Sequence, residues 1–99
     1  MSVVDYRRHL HRIPELDNQL PQTVAYVRSL LEPLGCKIFS PITGSVCAWF
    51  DAGQNESVAF RADLDALPVT EQTGLPYASE HCGIMHACGH DGHTAMVLA

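Results

Sequence analysis

The apolar positions change period along the chain, and each change marks an element. Ser2-Val3-Val4-Asp5 has the form of a capping box with aspartate in the glutamate position, which predicts a first helix from Val3 to Arg12. Ile13-Pro14 ends it, because a proline ring disfavours helical backbone in the residue before it. After a short loop from Asp17 to Leu20, the residues Val24, Val27, Leu30, Leu31 and Leu34 recur at helical spacing. They predict a second helix that starts at Pro21 or Thr23, lays one apolar face on a larger body and stops at Gly35. Pro33 falls in its last turn, where the missing N–H tightens or kinks the helix end.

The pattern then shortens to that of strands. Lys37 to Phe39, Ser45 to Asp51 and Ser57 to Asp63 read as three strands. The turn-forming residues 52–56 make the last two antiparallel neighbours. Val58-Ala59-Phe60 is apolar enough for a strand covered on both faces. Leu64 to Ala87 has no sustained period and carries Pro68, Gly74, Pro76 and Gly83. A loop of that length, leaving a buried strand and arriving at a stretch rich in cysteine and histidine, is expected to be functional. Thr94 to Ala99 reads as the apolar start of a helix, and it reaches Ala99 without a glycine cap, a basic last turn or a proline. Such an unfinished element predicts a longer protein of which these 99 residues are the N-terminal part.

Composition narrows the class of function. Apolar residues make up 46% and charged residues 17%, the balance of a globular chain. Six Lys plus Arg against eleven Asp plus Glu give a formal charge of −5, which argues against a nucleic-acid surface. Neither a secretory signal nor an apolar run of membrane-spanning length is present, so no membrane association and a cytoplasmic location are expected. In that compartment Cys36, Cys47, Cys82 and Cys88 should be free thiols, with Cys36 and Cys47 acting as small buried hydrophobes.

Chemistry concentrates in Met85-His86-Ala87-Cys88-Gly89-His90-Asp91-Gly92-His93-Thr94-Ala95. Imidazole nitrogen and thiolate sulfur are the groups that zinc and similar metals prefer. Cys88 and His90 lie two apart and would face opposite sides of a regular helix, so they can converge only on turn-like backbone, which Gly89 and Gly92 permit. Three functional readings compete: a catalytic metal site completed by ligands beyond Ala99, a structural zinc site from Cys82, Cys88, His90 and His93, and a Cys/His nucleophile pair. They rank in that order, although the spacing of the structural site matches none of the usual two-plus-two patterns. A polar turn with incidental histidines is the bland alternative, and a non-catalytic chain that binds metal or a partner is the alternative of another class. Asp63 and Asp65, at the carboxyl end of the third strand, are placed to serve as ligand or orienter. Otherwise Asp63 pairs with Arg61 and Asp65 caps a turn. His9, His11 and His81 receive no site role, and His86 lies near enough to support a ligand.

Three stretches then carry a family resemblance. Arg7-Arg8-His9-Leu10-His11-Arg12-Ile13-Pro14-Glu15-Leu16, Phe60-Arg61-Ala62-Asp63-Leu64-Asp65-Ala66-Leu67-Pro68, and Met85 to Ala95 resemble, in order and spacing, the motifs of the hippurate hydrolase, N-acyl-amino-acid amidohydrolase and auxin-conjugate hydrolase family. The resemblance implies an α/β fold: the N-terminal portion of a phosphorylase/hydrolase-like α/β sandwich with a mixed central sheet. A lid or dimerisation domain and the rest of the catalytic domain would follow residues 1–99. It further implies two divalent metal ions, zinc first, with cobalt, manganese or nickel as alternatives, and hydrolysis of the amide bond of a small N-acyl amino acid by a homodimeric protein.

By motif, Cys88 and His90 match the family's first two metal ligands, and Asp63 matches the acidic residue that orients a ligating histidine. The general base and remaining ligands would lie downstream, which leaves residues 1–99 inactive alone. Cysteine at position 88 favours the acylamino-acid branch over peptidase branches that carry aspartate there. The loop Asp17-Asn18-Gln19-Leu20-Pro21 departs from the family's usual glycine and acidic residues.

Overall fold

The computed structural model describes residues 1–99. Helix α1 runs Val3–Arg12, as its cap predicts: the Ser2 hydroxyl accepts from the Asp5 N–H at 3.3 Å and the Asp5 carboxylate takes the Ser2 N–H at 2.8 Å. Helix α2, Pro21–Leu31, opens on proline but has no side-chain cap of its own at Leu20. The carboxylate of Glu15 does that work from outside, accepting from Gln22 N–H at 3.2 Å and Thr23 N–H at 2.7 Å and setting a negative charge at the positive end of the helix. Pro33 tightens the exit into a 3₁₀ turn, Glu32–Leu34, and Gly35 closes it at φ 73°.

Two of the three expected strands form. Strands β1 (Lys37–Phe39) and β2 (Cys47–Trp49) pair antiparallel, with Ile38 opposite Ala48. Residues 57–63 have no strand partner, so the expected pairing of the second and third strands gives way to pairing of the first and second. The apolar residues of 57–63 find no cover among residues 1–99: Val58 is 82% and Phe60 81% exposed. The result is a small α/β unit whose sheet is one antiparallel pair.

Helix α3, His90–Leu98, starts earlier than its apolar run suggested and packs on α1 and α2. Leu10, Leu20, Val27 and Ala95 are buried, and Ala95 is fully closed off. The long segment 64–87 is no free loop. Leu67 and Met85 exchange two backbone hydrogen bonds at 2.9 and 3.0 Å across its ends, while Ala66 N–H donates to Glu15 O and Glu80 N–H to Arg12 O. These bonds hold it against the end of α1 and deliver residues 86–89 to the first turn of α3.

Candidate metal centre

Gly89 decides the local geometry. It sits at the N-cap of α3 with φ 105°, a left-handed conformation that L side chains rarely adopt. The chain therefore turns between Cys88, still on the loop, and His90, the first residue of the helix. Cys88 is exposed and its sulfur is hydrogen-bonded to no histidine, so nothing in the structure activates it as one half of a Cys/His nucleophile pair.

His90 is oriented from one side. Its Nδ1 lies 2.8 Å from the backbone oxygen of Asp65 and 3.1 Å from Asp65 Oδ1. Both neighbours only accept, so the Nδ1 proton is held there and the lone pair falls on Nε2. The resemblance assigns Asp63 to orient a ligating histidine without specifying which. Asp63 faces Nε2, at 3.9 Å and beyond hydrogen-bond reach, and pairs with Arg61 at 3.0 Å. Residues two apart on extended backbone share a side, so both aspartates flank His90, and only the fold determines which of them reaches Nδ1. The hydroxyl of Thr94, one turn along α3, donates to Asp63 O at 3.0 Å and ties the two segments together.

Two clefts meet at this turn. One, of about 430 Å³, is lined by Arg7, His11, His86, Cys88 and Asp91 among others. The second, of about 410 Å³, is lined by Arg61, Ala62, Asp63, His90 and His93. Cys88 and His90 thus open into adjacent clefts on either side of Gly89. His86 is 5% exposed and its Nδ1 has no hydrogen-bond partner. Burial pushes its pKa below the ordinary 6.5, against the pull of the Asp91 carboxylate. No three His, Cys, Asp or Glu side chains converge as a complete metal-ligand set. A histidine with Nδ1 fixed nevertheless suits part of such a set, and the exposed Cys88 thiol lies across Gly89 from it in the chain. Cys82 and His93 are not drawn into a four-ligand group with Cys88 and His90, so the structural zinc reading has no support.

Sequence reasoning passed over a buried charge cluster behind the turn. His11 places Nδ1 2.7 Å from Asp91 Oδ2 and Nε2 2.9 Å from Glu71 Oε1. Arg7 Nε meets the same Asp91 oxygen at 2.9 Å. The available signal was the i, i+4 spacing of Arg7 and His11, which puts both on one face of α1.

Residues 59–99 match peptidase family M20/M25/M40. The chain is 48% identical over 100 residues to the N-acetyl-L-cysteine deacetylase of Bacillus subtilis (strain 168), covering 98% of this chain and 24% of that protein. It is 42% identical over 96 residues to an uncharacterised hydrolase of Staphylococcus aureus (strain bovine RF122 / ET3-1), covering 97% of this chain and 25% of that one. The crystal structure of a dinuclear metal-binding M20 peptidase from Bacillus subtilis superposes with a TM-score of 0.88 at 42% identity, over 97% of this chain and 28% of that one. The chain therefore spans about a quarter of the length of the relatives it matches.

Proposed function

We propose, from the match of residues 59–99 to peptidase family M20/M25/M40, that residues 1–99 are the N-terminal part of the catalytic domain of a two-metal amidohydrolase. That domain is an α/β sandwich around a mixed sheet, which residues 57–63 enter as a strand. The rest of the catalytic domain and a lid or dimerisation domain occupy the length that the relatives have in addition. The reaction is hydrolysis of an N-acyl amino acid to a carboxylic acid and a free amino acid. The deacetylase among the relatives supports that substrate class, and the dinuclear peptidase supports a pair of metal ions. The protein acts in the cytoplasm as a homodimer on a small-molecule substrate. No helix is long and apolar enough to cross a membrane.

The observation that carries this reading is the state of His90. Asp65 holds the ring in the tautomer that leaves Nε2 as a donor of electrons, which is what a metal-ligating histidine requires. Cys88 offers its sulfur from the other side of Gly89, and a thiolate there suits zinc, with cobalt, manganese or nickel also compatible. A bound pair of divalent ions would supply Lewis acidity toward the amide carbonyl and lower the pKa of water to near neutral. Asp63 sets a negative charge beside Nε2, and Arg61 partly balances it. The general base, a glutamate by family analogy, and the remaining ligands belong to the downstream part of the domain.

In the full-length protein, Cys88→Ser or His90→Ala is expected to remove most bound metal and nearly all release of amino acid from N-acetyl or N-benzoyl substrates. Full turnover by either variant would overturn the assignment. A chelator separates the rival chemistry, because it abolishes a metal hydrolase and leaves a thiol hydrolase built on Cys88 active.

A further inference from the structure

His11 carries no role in the chemistry above, yet it is among the most enclosed side chains of the protein. It is 2% exposed, as is Asp91, and Glu71 is 4% exposed. Both ring nitrogens point at carboxylate oxygens, and each of those two short contacts needs a proton between nitrogen and oxygen. The imidazole therefore acts as a double-ended connector. On one side it holds Glu71, which also accepts the Thr73 hydroxyl and the Ser79 N–H at 2.9 Å and so organises the segment 64–87. On the other it holds Asp91, which takes Arg7 Nε at 2.9 Å and the N–H of Gly92 at 2.9 Å.

Asp91 directly follows His90 in the first turn of α3. Its carboxylate is anchored to α1 at two points, so the rotation of that turn about the helix axis is fixed from behind. The same rotation determines whether the His90 ring meets Asp65 with Nδ1 and presents Nε2 outward. We propose that His11 is a positioning residue for the metal centre. It fixes His90 through Asp91, while its bond to Glu71 orders the interior of the segment 64–87, whose ends are held independently by the Leu67–Met85 backbone pair and by Ala66 N–H on Glu15 O. The proposal rests on His90 being a metal ligand, as argued above.

The two ends of the ring can be separated chemically. The amide nitrogen of asparagine falls near the place of imidazole Nδ1, and that of glutamine near Nε2. His11→Asn therefore keeps a donor for Asp91 and loses Glu71, while His11→Gln does the reverse. In the full-length protein, titrated with zinc against a chromophoric chelator, His11→Gln is expected to weaken metal affinity about 10–100-fold, the usual cost of losing a group that orients a ligand. His11→Asn should stay within about threefold of wild type, well below that range. In metal-saturated enzyme the loss should fall on kcat, with KM unchanged.

Equal effects of the two variants, or wild-type zinc affinity in His11→Gln, would overturn the proposal. If His11→Gln does not fold, Asp91→Asn takes its place: a 10–100-fold loss supports the link and wild-type affinity refutes it. Should His90→Ala retain its metal, the ligand assignment itself has failed. Should His90→Ala lose metal while His11→Gln does not, only the positioning role has failed.

Discussion

At His90 a single proton determines which side of the ring can bind. Asp65 offers two acceptors to Nδ1, a backbone oxygen and a carboxylate, and the backbone oxygen is the nearer at 2.8 Å. Removing the Asp65 side chain therefore weakens the orientation without abolishing it. Asp65→Ala in the full-length protein is expected to lower metal affinity about tenfold, the low end for groups that orient a ligating histidine. Asp63→Asn should cost less than that, since its carboxylate stands 3.9 Å from Nε2, is 49% exposed and is shared with Arg61. Competitive metal titration of the two variants checks the order, and a larger loss for Asp63→Asn would return the orienting role to Asp63. Sequence placed two aspartates beside the site, and the resemblance chose Asp63; position alone does not decide between them, because residues two apart share a side of extended backbone.

Between elements, the turn at Gly89 joins loop to helix by a conformation rather than by a contact. A Cβ there would meet only the His93 ring, at an ordinary 3.6 Å, so the obstacle to substitution is the backbone angle of 105°. Gly89→Ala is expected to cost about 1–3 kcal/mol, the range for a non-glycine residue held in a sparsely populated region. Chemical denaturation of the full-length protein reads the loss, and displacement of Cys88 from His90 should weaken metal binding in the same variant.

The helices show which signals were local enough to read. Helix α1 was legible to the residue because its capping box lies within four positions. The cap of α2 was not, because Glu15 reaches it from six positions before the helix begins. Helix α3 starts four residues before its apolar run, and Gly92, expected in a turn, lies inside it. The cost of a helical glycine, about 1 kcal/mol, is offset by the Asp91 carboxylate accepting the Gly92 N–H and by packing of α3 on α1.

Across the whole molecule, the parts that sequence could not supply are those that join distant positions. The chain has a radius of gyration of 14.2 Å, somewhat above the roughly 13 Å of a compact 100-residue domain. Trp49, Phe50, Val58 and Phe60 stand exposed on it, and the remainder of the proposed catalytic domain would cover them.

What ties the described residues together is in large part polar. His11 spans 80 positions to Asp91 and 60 to Glu71, and no periodicity records such a pair. That arrangement makes stability depend on pH in a definite direction. Burial raises the Glu71 pKa, but hydrogen bonds from Thr73, Ser79 and His11 outweigh it and hold the carboxyl below its ordinary value of 4.5. A carboxyl lowered in the folded state binds fewer protons there than in the unfolded state, so stability rises with pH through that window. The contribution of Glu71 is thus complete above 4.5 and is lost as the pH falls through the lowered folded value.

In the full-length protein the denaturation midpoint should fall on acidification from about pH 6 to below the carboxylate range. Glu71→Gln should show a shallower fall than wild type. All other side chains are common to both proteins, so the difference between the two curves isolates Glu71 as far as the sites act independently. Parallel curves would show that the acid sensitivity resides in other carboxylates.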